Sequence, residues 1–147
     1  MPSTYIPPEH SLVRYVQWSK LRKDGDDNVI GVFADAFKLR PTERNLSATW
    51  LEYFSGSRDE QITSAVQIIR RSRLKPKPKS GFAIGVVARI SEAATKHKES
   101  IRVLHENEDD NPAHAAIHRW PRDNDDLFDE LADEVWNEIV LNKSVPA

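Results

Sequence analysis

The chain has 147 residues, 39% hydrophobic and 30% charged, the size and balance expected of one compact α+β domain spanning residues 1–147. It contains no Cys, which excludes disulfides, thiolate zinc sites, iron–sulfur clusters and cysteine nucleophiles, so any metal would have to use His or carboxylate. The net charge is only −2 and no apolar run approaches the length of a membrane helix, so a membrane partner is not expected and the cytosol is the expected compartment.

Residues 1–9, polar and Pro-rich, are expected to form a flexible N-terminal tail. Leu12 to Trp18 and Val29 to Leu39 have strand-like composition around a turn at Asp24 to Asn28, and Leu46 to Phe54 reads as a strand or a short helix. A helix is predicted from Arg58 to Arg73. Ser57 is placed as its N-cap, Asp59 and Glu60 sit in the first turn and Arg70, Arg71 and Arg73 in the last, each where the helix dipole favours its charge. Ile62, Ala65, Val66 and Ile69 recur at i, i+3, i+4, i+7, the stripe of a helix packed on one face. Phe82 to Ile90, FAIGVVARI, reads as a buried central strand opened by Gly81, followed by a short helix from Glu92 to Lys98 with Ser91 as N-cap. Ile101 to His105 and Ala113 to Trp120 flank the Asp, Asn and Pro-rich segment Glu106 to Pro112 and together predict a hairpin. A second long helix is predicted from Asp125 to Leu141, burying Leu127, Phe128, Leu131, Val135, Trp136 and Ile139, with Trp120 expected to pack near Trp136. The expected architecture is a mainly antiparallel sheet of about four to six strands with the two amphipathic helices packed on one face.

The small net charge hides a segregation along the chain. Residues 1–57 carry 7 basic and 7 acidic side chains, 58–104 carry 11 and 4, and 105–147 carry 3 and 12. Arg70, Arg71, Arg73, Lys75, Lys77 and Lys79 form the densest basic tract, kept extended by Pro76 and Pro78. Such a tract suits phosphates or an acidic partner, and it can also face the acidic C-terminal segment internally or be no more than a solvated helix end.

Familiar catalytic signatures fail on physical grounds. Lys79, Ser80, Gly81 and Gly85 open a strand, whereas a phosphate loop opens a helix; Ser72 and Lys75 end a helix, whereas the S-x-x-K serine begins one. His114 and His118 are four apart. On a helix they could share one metal, but on the preferred strand they would lie roughly 13 Å apart, so no metal site is expected. His114 is left as a candidate acid or base, since an unperturbed imidazole titrates near pH 6.5. His10, Arg14, Tyr15, Arg40, Ser47 and Trp50 make a second polar and aromatic set, in which an Arg beside rings suits an anionic or nucleotide ligand. The competing reading fills the core with Trp18, Trp50 and Tyr53 and covers it with the stems of Arg14 and Arg40.

Two functions follow. The leading expectation is a non-enzymatic accessory protein, without cofactor, that docks a macromolecule through the Arg70–Lys79 tract. The pI near 6.2 favours an acidic protein surface over nucleic acid. The alternative is a small enzyme acting on a nucleotide or phosphorylated metabolite, with His114 and His10 as catalytic groups and Arg14 and Arg40 holding phosphate, which requires both histidines in one pocket.

Overall fold

The computed structural model describes residues 4–147. Seven antiparallel strands form one sheet: β1 (Thr4–Tyr5), β2 (Ser11–Val16), β5 (Leu46–Trp50), β6 (Gly81–Val86), β7 (Arg102–His105), β8 (His114–His118) and β9 (Glu138–Leu141), in the order β1-β7-β8-β5-β2-β6-β9. A separate ribbon pairs β3 (Leu21–Lys23) with β4 (Val29–Val32) across the expected turn, which Asp24 stabilises by accepting the amides of Asp26 and Asn28. Three helices complete the fold: α1 (Arg58–Arg71), α2 (Val87–Lys96) and α3 (Asp125–Glu130). No helix among the described residues is long and apolar enough to cross a membrane.

The α+β class and the antiparallel sheet hold, while the strand number and the helix placement need correction. Both extra strands are sheet edges. β1 falls within the segment 1–9 expected as a tail: Met1–Ser3 lie outside the described residues, but Thr4 and Tyr5 pair with β7 and Ile6 is buried. β9 comes from the last turn of the predicted helix 125–141. That helix is α3, capped by Asn124, and then one wider π turn, Leu131–Val135, in which the Trp136 amide reaches back five residues to the Leu131 carbonyl at 2.7 Å. Beyond Trp136 the chain is extended and pairs with β6. Ile139 then packs on one side of the sheet and its neighbour Val140 on the other, an alternation that a strand supplies and a helix does not.

The two amphipathic helices pack on opposite faces of the sheet. α1 covers the face of Val13, Phe82 and Ile84, using Ala65, Val66 and Ile69. α2, α3, the π turn and the β3–β4 ribbon cover the face of Leu12, Val16 and Ala83. The reason lies in β6, where Phe82, Ala83 and Ile84 are all buried, so that each face needs a layer. The apolar run of β6 also hides the start of α2, which begins at Val87, with Ser91 inside the helix. Its first amides, Val87 and Ala88, donate to the carbonyls of His10 and Pro8, so no side-chain cap is required. α1 begins as expected, with a capping box between Ser57 and Glu60. Trp120 stacks on Phe128 while Trp136 packs on Phe37, whose carbonyl accepts the Trp120 indole N–H at 2.7 Å.

Candidate functional site

The site originates in an interruption of the sheet. β2 pairs with β6 at six positions and β5 pairs with β8 at four, but β2 and β5 pair only at Leu12↔Trp50 and Val13↔Thr49. After Val13 the two strands part. Arg14 fills the fork: its Nε donates to the Ala36 carbonyl at 2.9 Å and its Nη1 to the Ser47 carbonyl at 2.6 Å. The guanidinium thus supplies donors where ladder bonds are missing. The fork opens into a cleft of about 940 Å³, which also takes in Arg40 from the loop before β5, Arg73 from the end of α1, and Thr49, Asn111 and His114 from the β5–β8 side.

The charges in the cleft wall are unequally satisfied. Asp35 is paired with Lys20 and lies 3.6 Å from Lys38; Glu108 accepts Arg73 Nη2 at 2.9 Å; Asp110 accepts the Arg73 amide at 3.0 Å; Glu43 accepts the Arg40 amide at 2.8 Å. Arg14, by contrast, has no carboxylate within ion-pair distance among the described residues and contacts only neutral carbonyls. Burial pushes its guanidinium down to about 10, with Glu43 opposing the shift and Arg40 adding to it. At neutral pH it is still a cation, held in the cavity wall with Glu43 acting on it from beyond ion-pair distance, and two of its five N–H groups are occupied.

His114 lies on the same cleft, 12% exposed. Its Nδ1 is 2.9 Å from the Glu106 carbonyl, which can only accept, so Nδ1 is a donor and Nε2 is the nitrogen that accepts in the neutral form of the ring and donates in the charged form. Glu108 Oε1 is 3.7 Å from that Nε2. Thr49 stands opposite His114 in the ladder, and the buried Asn111 donates to Thr49 Oγ1 at 2.9 Å, which ties the loop of residues 106–113 to the sheet. His118 turns elsewhere, to the Glu106 carboxylate at 2.6 Å. Both histidines are on a strand, and the described residues hold no group of three or more His, Asp or Glu able to bind a metal.

Arg14, Arg40 and His114 all line this cleft, Arg14 from the Leu12 side of the sheet and His114 from the Val13 side across the open fork, and His10 does not line it. Trp50 lies on the Leu12 side of the sheet, whereas Thr49 and His114 lie on the Val13 side, and His10 goes with Trp50. Its Nδ1 accepts the Trp50 indole N–H at 3.0 Å, in an aromatic group that continues through Tyr53 and His105. Nothing in the sequence marks Thr49 and Asn111 for this site, and Arg73 is expected there as part of the basic docking tract and not in this cleft. Their place depends on the β5–β8 pairing and on the end of α1 reaching the loop of residues 106–113, neither of which leaves a local pattern.

The basic tract is divided. Arg70 is fully engaged by the C-terminal segment, donating to Asn142 Oδ1 and to the carbonyls of Asn142, Val145 and Pro146 at 2.6–2.9 Å. Arg73 pairs with Glu108, and Lys79 lies 5.5 Å above the Trp18 ring, which Lys23 also covers at 4.2 Å. Arg71, Lys75 and Lys77 are exposed, with no side-chain partner among the described residues. Compared with family models, with curated proteins and with solved structures, the chain matches none.

Proposed function

We propose that this protein binds a small anionic metabolite, of the class of phosphorylated metabolites and nucleotides, in the fork between β2 and β5. The observation that carries this reading is the Arg14 guanidinium, a cation in a cleft wall with free N–H groups and no carboxylate partner. In a partly desolvated site, an anion gains charge-assisted hydrogen bonds there that it would not gain from an exposed lysine. Arg40 adds a second cation on the rim, on a loop held by Arg122 through the carbonyls of Arg40 and Glu43. His114 offers Nε2 to the bound molecule, as a hydrogen-bond acceptor or, in an enzyme, as the general base.

The test is a thermal-shift and calorimetric screen of phosphorylated metabolites, nucleotides and carboxylates, repeated on Arg40→Ala. A hit that weakens severalfold in Arg40→Ala supports the assignment. Absence of binding by every anion at millimolar concentration sinks it.

A second reading is docking of an acidic protein surface, and it is favoured by Arg71, Lys75 and Lys77, three exposed cations with no side-chain partner among the described residues. Replacing these three with Glu should abolish salt-sensitive capture of such a partner, and unaltered capture would remove the reading. Both readings take the protein to work in the cytosol.

A further inference from the structure

Resting on the anion-binding reading, we infer that the ligand is a phosphorylated polyhydroxy compound, a sugar or polyol phosphate, and not a nucleotide. The cleft is chemically two-ended. At the fork stand the free N–H groups of Arg14, with Arg40 on the rim, suited to phosphate oxygens, which only accept, while the Glu43 and Asp35 carboxylates in the same wall are engaged by the Arg40 amide and by Lys20. On the β8 side stand the carboxylates of Glu108 and Asp110, which hold Arg73 and keep further lone pairs, and His114 Nε2, which accepts in the neutral form of the ring; these suit hydroxyl groups, which donate.

The ladder sets the offset between these ends along the sheet. Arg14 is anchored at Ser47, and His114 stands opposite Thr49, two residues further along β5. At ~3.3 Å per residue the offset along β5 is about 7 Å, with His114 one strand further over and on the Val13 side while Arg14 is on the Leu12 side, so a ligand touching both passes through the open fork, which suits an extended polyol chain.

A nucleobase, in contrast, finds no berth. Base recognition relies on stacking against aromatic faces, and Trp18, Trp50, Trp120 and Trp136 all lie outside the cleft. Tyr15 does line it, but its ring is packed on Phe82 with centroids 6.1 Å apart. The remaining polar wall of Asn45, Ser47, Thr49 and Asn111 matches hydroxyls better than a flat heterocycle.

The experiment is isothermal titration of the full chain with ribose 5-phosphate, glucose 6-phosphate, AMP, inorganic phosphate and free ribose. At least one sugar phosphate is expected to bind tenfold or more tighter than AMP and inorganic phosphate, and free ribose not to bind. His114→Leu should cost the sugar phosphate about tenfold; if that variant does not fold, as judged by its melting transition, Glu108→Gln takes its place. AMP binding as tightly as both sugar phosphates overturns the inference and leaves the anion-binding reading standing, and so does inorganic phosphate matching them. Failure of every phosphate, inorganic phosphate and AMP included, overturns both.

Discussion

Gly85 is the position where the sheet makes room for Trp136. A Cβ built there would lie 2.9 Å from Trp136 Cδ2 and 3.2 Å from Cε2 and Cε3 of the same ring. That ring is fully buried and packed on Phe37, so it has little freedom to retreat. Gly85→Ala should therefore cost about 1–3 kcal/mol as an overpacking change, measured by urea unfolding, and Trp136→Phe should recover part of it in the double variant. Arg14 poses the opposite question, because its two bonds at 2.6 and 2.9 Å stabilise the fork while its desolvated charge costs free energy. Arg14→Met keeps the stem and removes both contributions. With charge-assisted bonds worth ~1.5–3 kcal/mol each and the relief of desolvation opposing their loss, a net destabilisation of about 1–2 kcal/mol is expected. A gain in stability on unfolding by urea would show that Arg14 is held in place at a cost, as binding residues often are. At this scale the sequence was legible in type and illegible in company. The sequence offers Arg14 and Arg40 as phosphate contacts and His114 and His10 as catalytic candidates, and it groups His10, Arg14, Ser47 and Trp50 in one set. But which side of the sheet those on strands face depends on strand partners 38 to 69 residues away.

Elements were legible where a local rule decides them. Ser57, Glu60 and the apolar stripe of α1 are such a rule, and so is the turn at Asp24. The failures have two causes. β6 and the start of α2 form one apolar run, Phe82–Val87, in which periodicity carries no information. The π turn and β9 instead keep a helix-like spacing, with Leu131, Val135 and Trp136 buried between exposed acids, and only the pairing of Glu138–Leu141 with β6 makes the last part a strand. What joins α2 to α3 is a polar contact. Glu130 accepts Lys96 Nζ at 2.8 Å and lies 3.1 Å from His97 Nε2. The Lys96 ammonium, followed by the His97 ring, holds the Glu130 carboxyl below its ordinary 4.5, and Glu130 in turn holds Lys96 above 10.5. A depressed carboxyl stabilises the fold above its ordinary value and loses that contribution as pH falls through the lowered one. A raised amine stabilises below its ordinary value and loses the contribution as pH rises through the higher one. Wild type should therefore exceed Glu130→Gln in urea midpoint between pH 4.5 and 10.5. The gap should close in more acidic solution and narrow in high salt, because the pair is exposed. A gap independent of pH would assign the effect to packing.

At the scale of the whole molecule, the charge segregation read from the sequence turns into three different structures. Some acids of the C-terminal segment reach back to bases of the middle one, as in Arg58–Glu138 and Lys96–Glu130. Some bases, such as Arg71 and Lys77, stay on the surface. Arg70, the first residue of the basic tract, pairs with no acid among the described residues and closes the chain upon itself. Its four hydrogen bonds to Asn142, Val145 and Pro146 hold the segment that follows β9 against α1, while Asn142 Nδ2 also donates to the Lys77 carbonyl at 3.0 Å. β9 is an edge strand paired only with β6, so this clamp is what its far end depends on. The carbonyls released by Arg70→Gln become hydrated, so the net loss is set by the modest value of solvated hydrogen bonds, about 1–2 kcal/mol. That free energy corresponds to roughly 5–30-fold faster hydrogen exchange of the β9 amides if they exchange by local opening, with the β2–β6 amides little changed. Exchange at β9 unaltered by Arg70→Gln would mean that the C-terminal segment holds without the clamp and would return Arg70 to the surface tract. Selective acceleration would leave Arg71, Lys75 and Lys77 as the cations available to a partner.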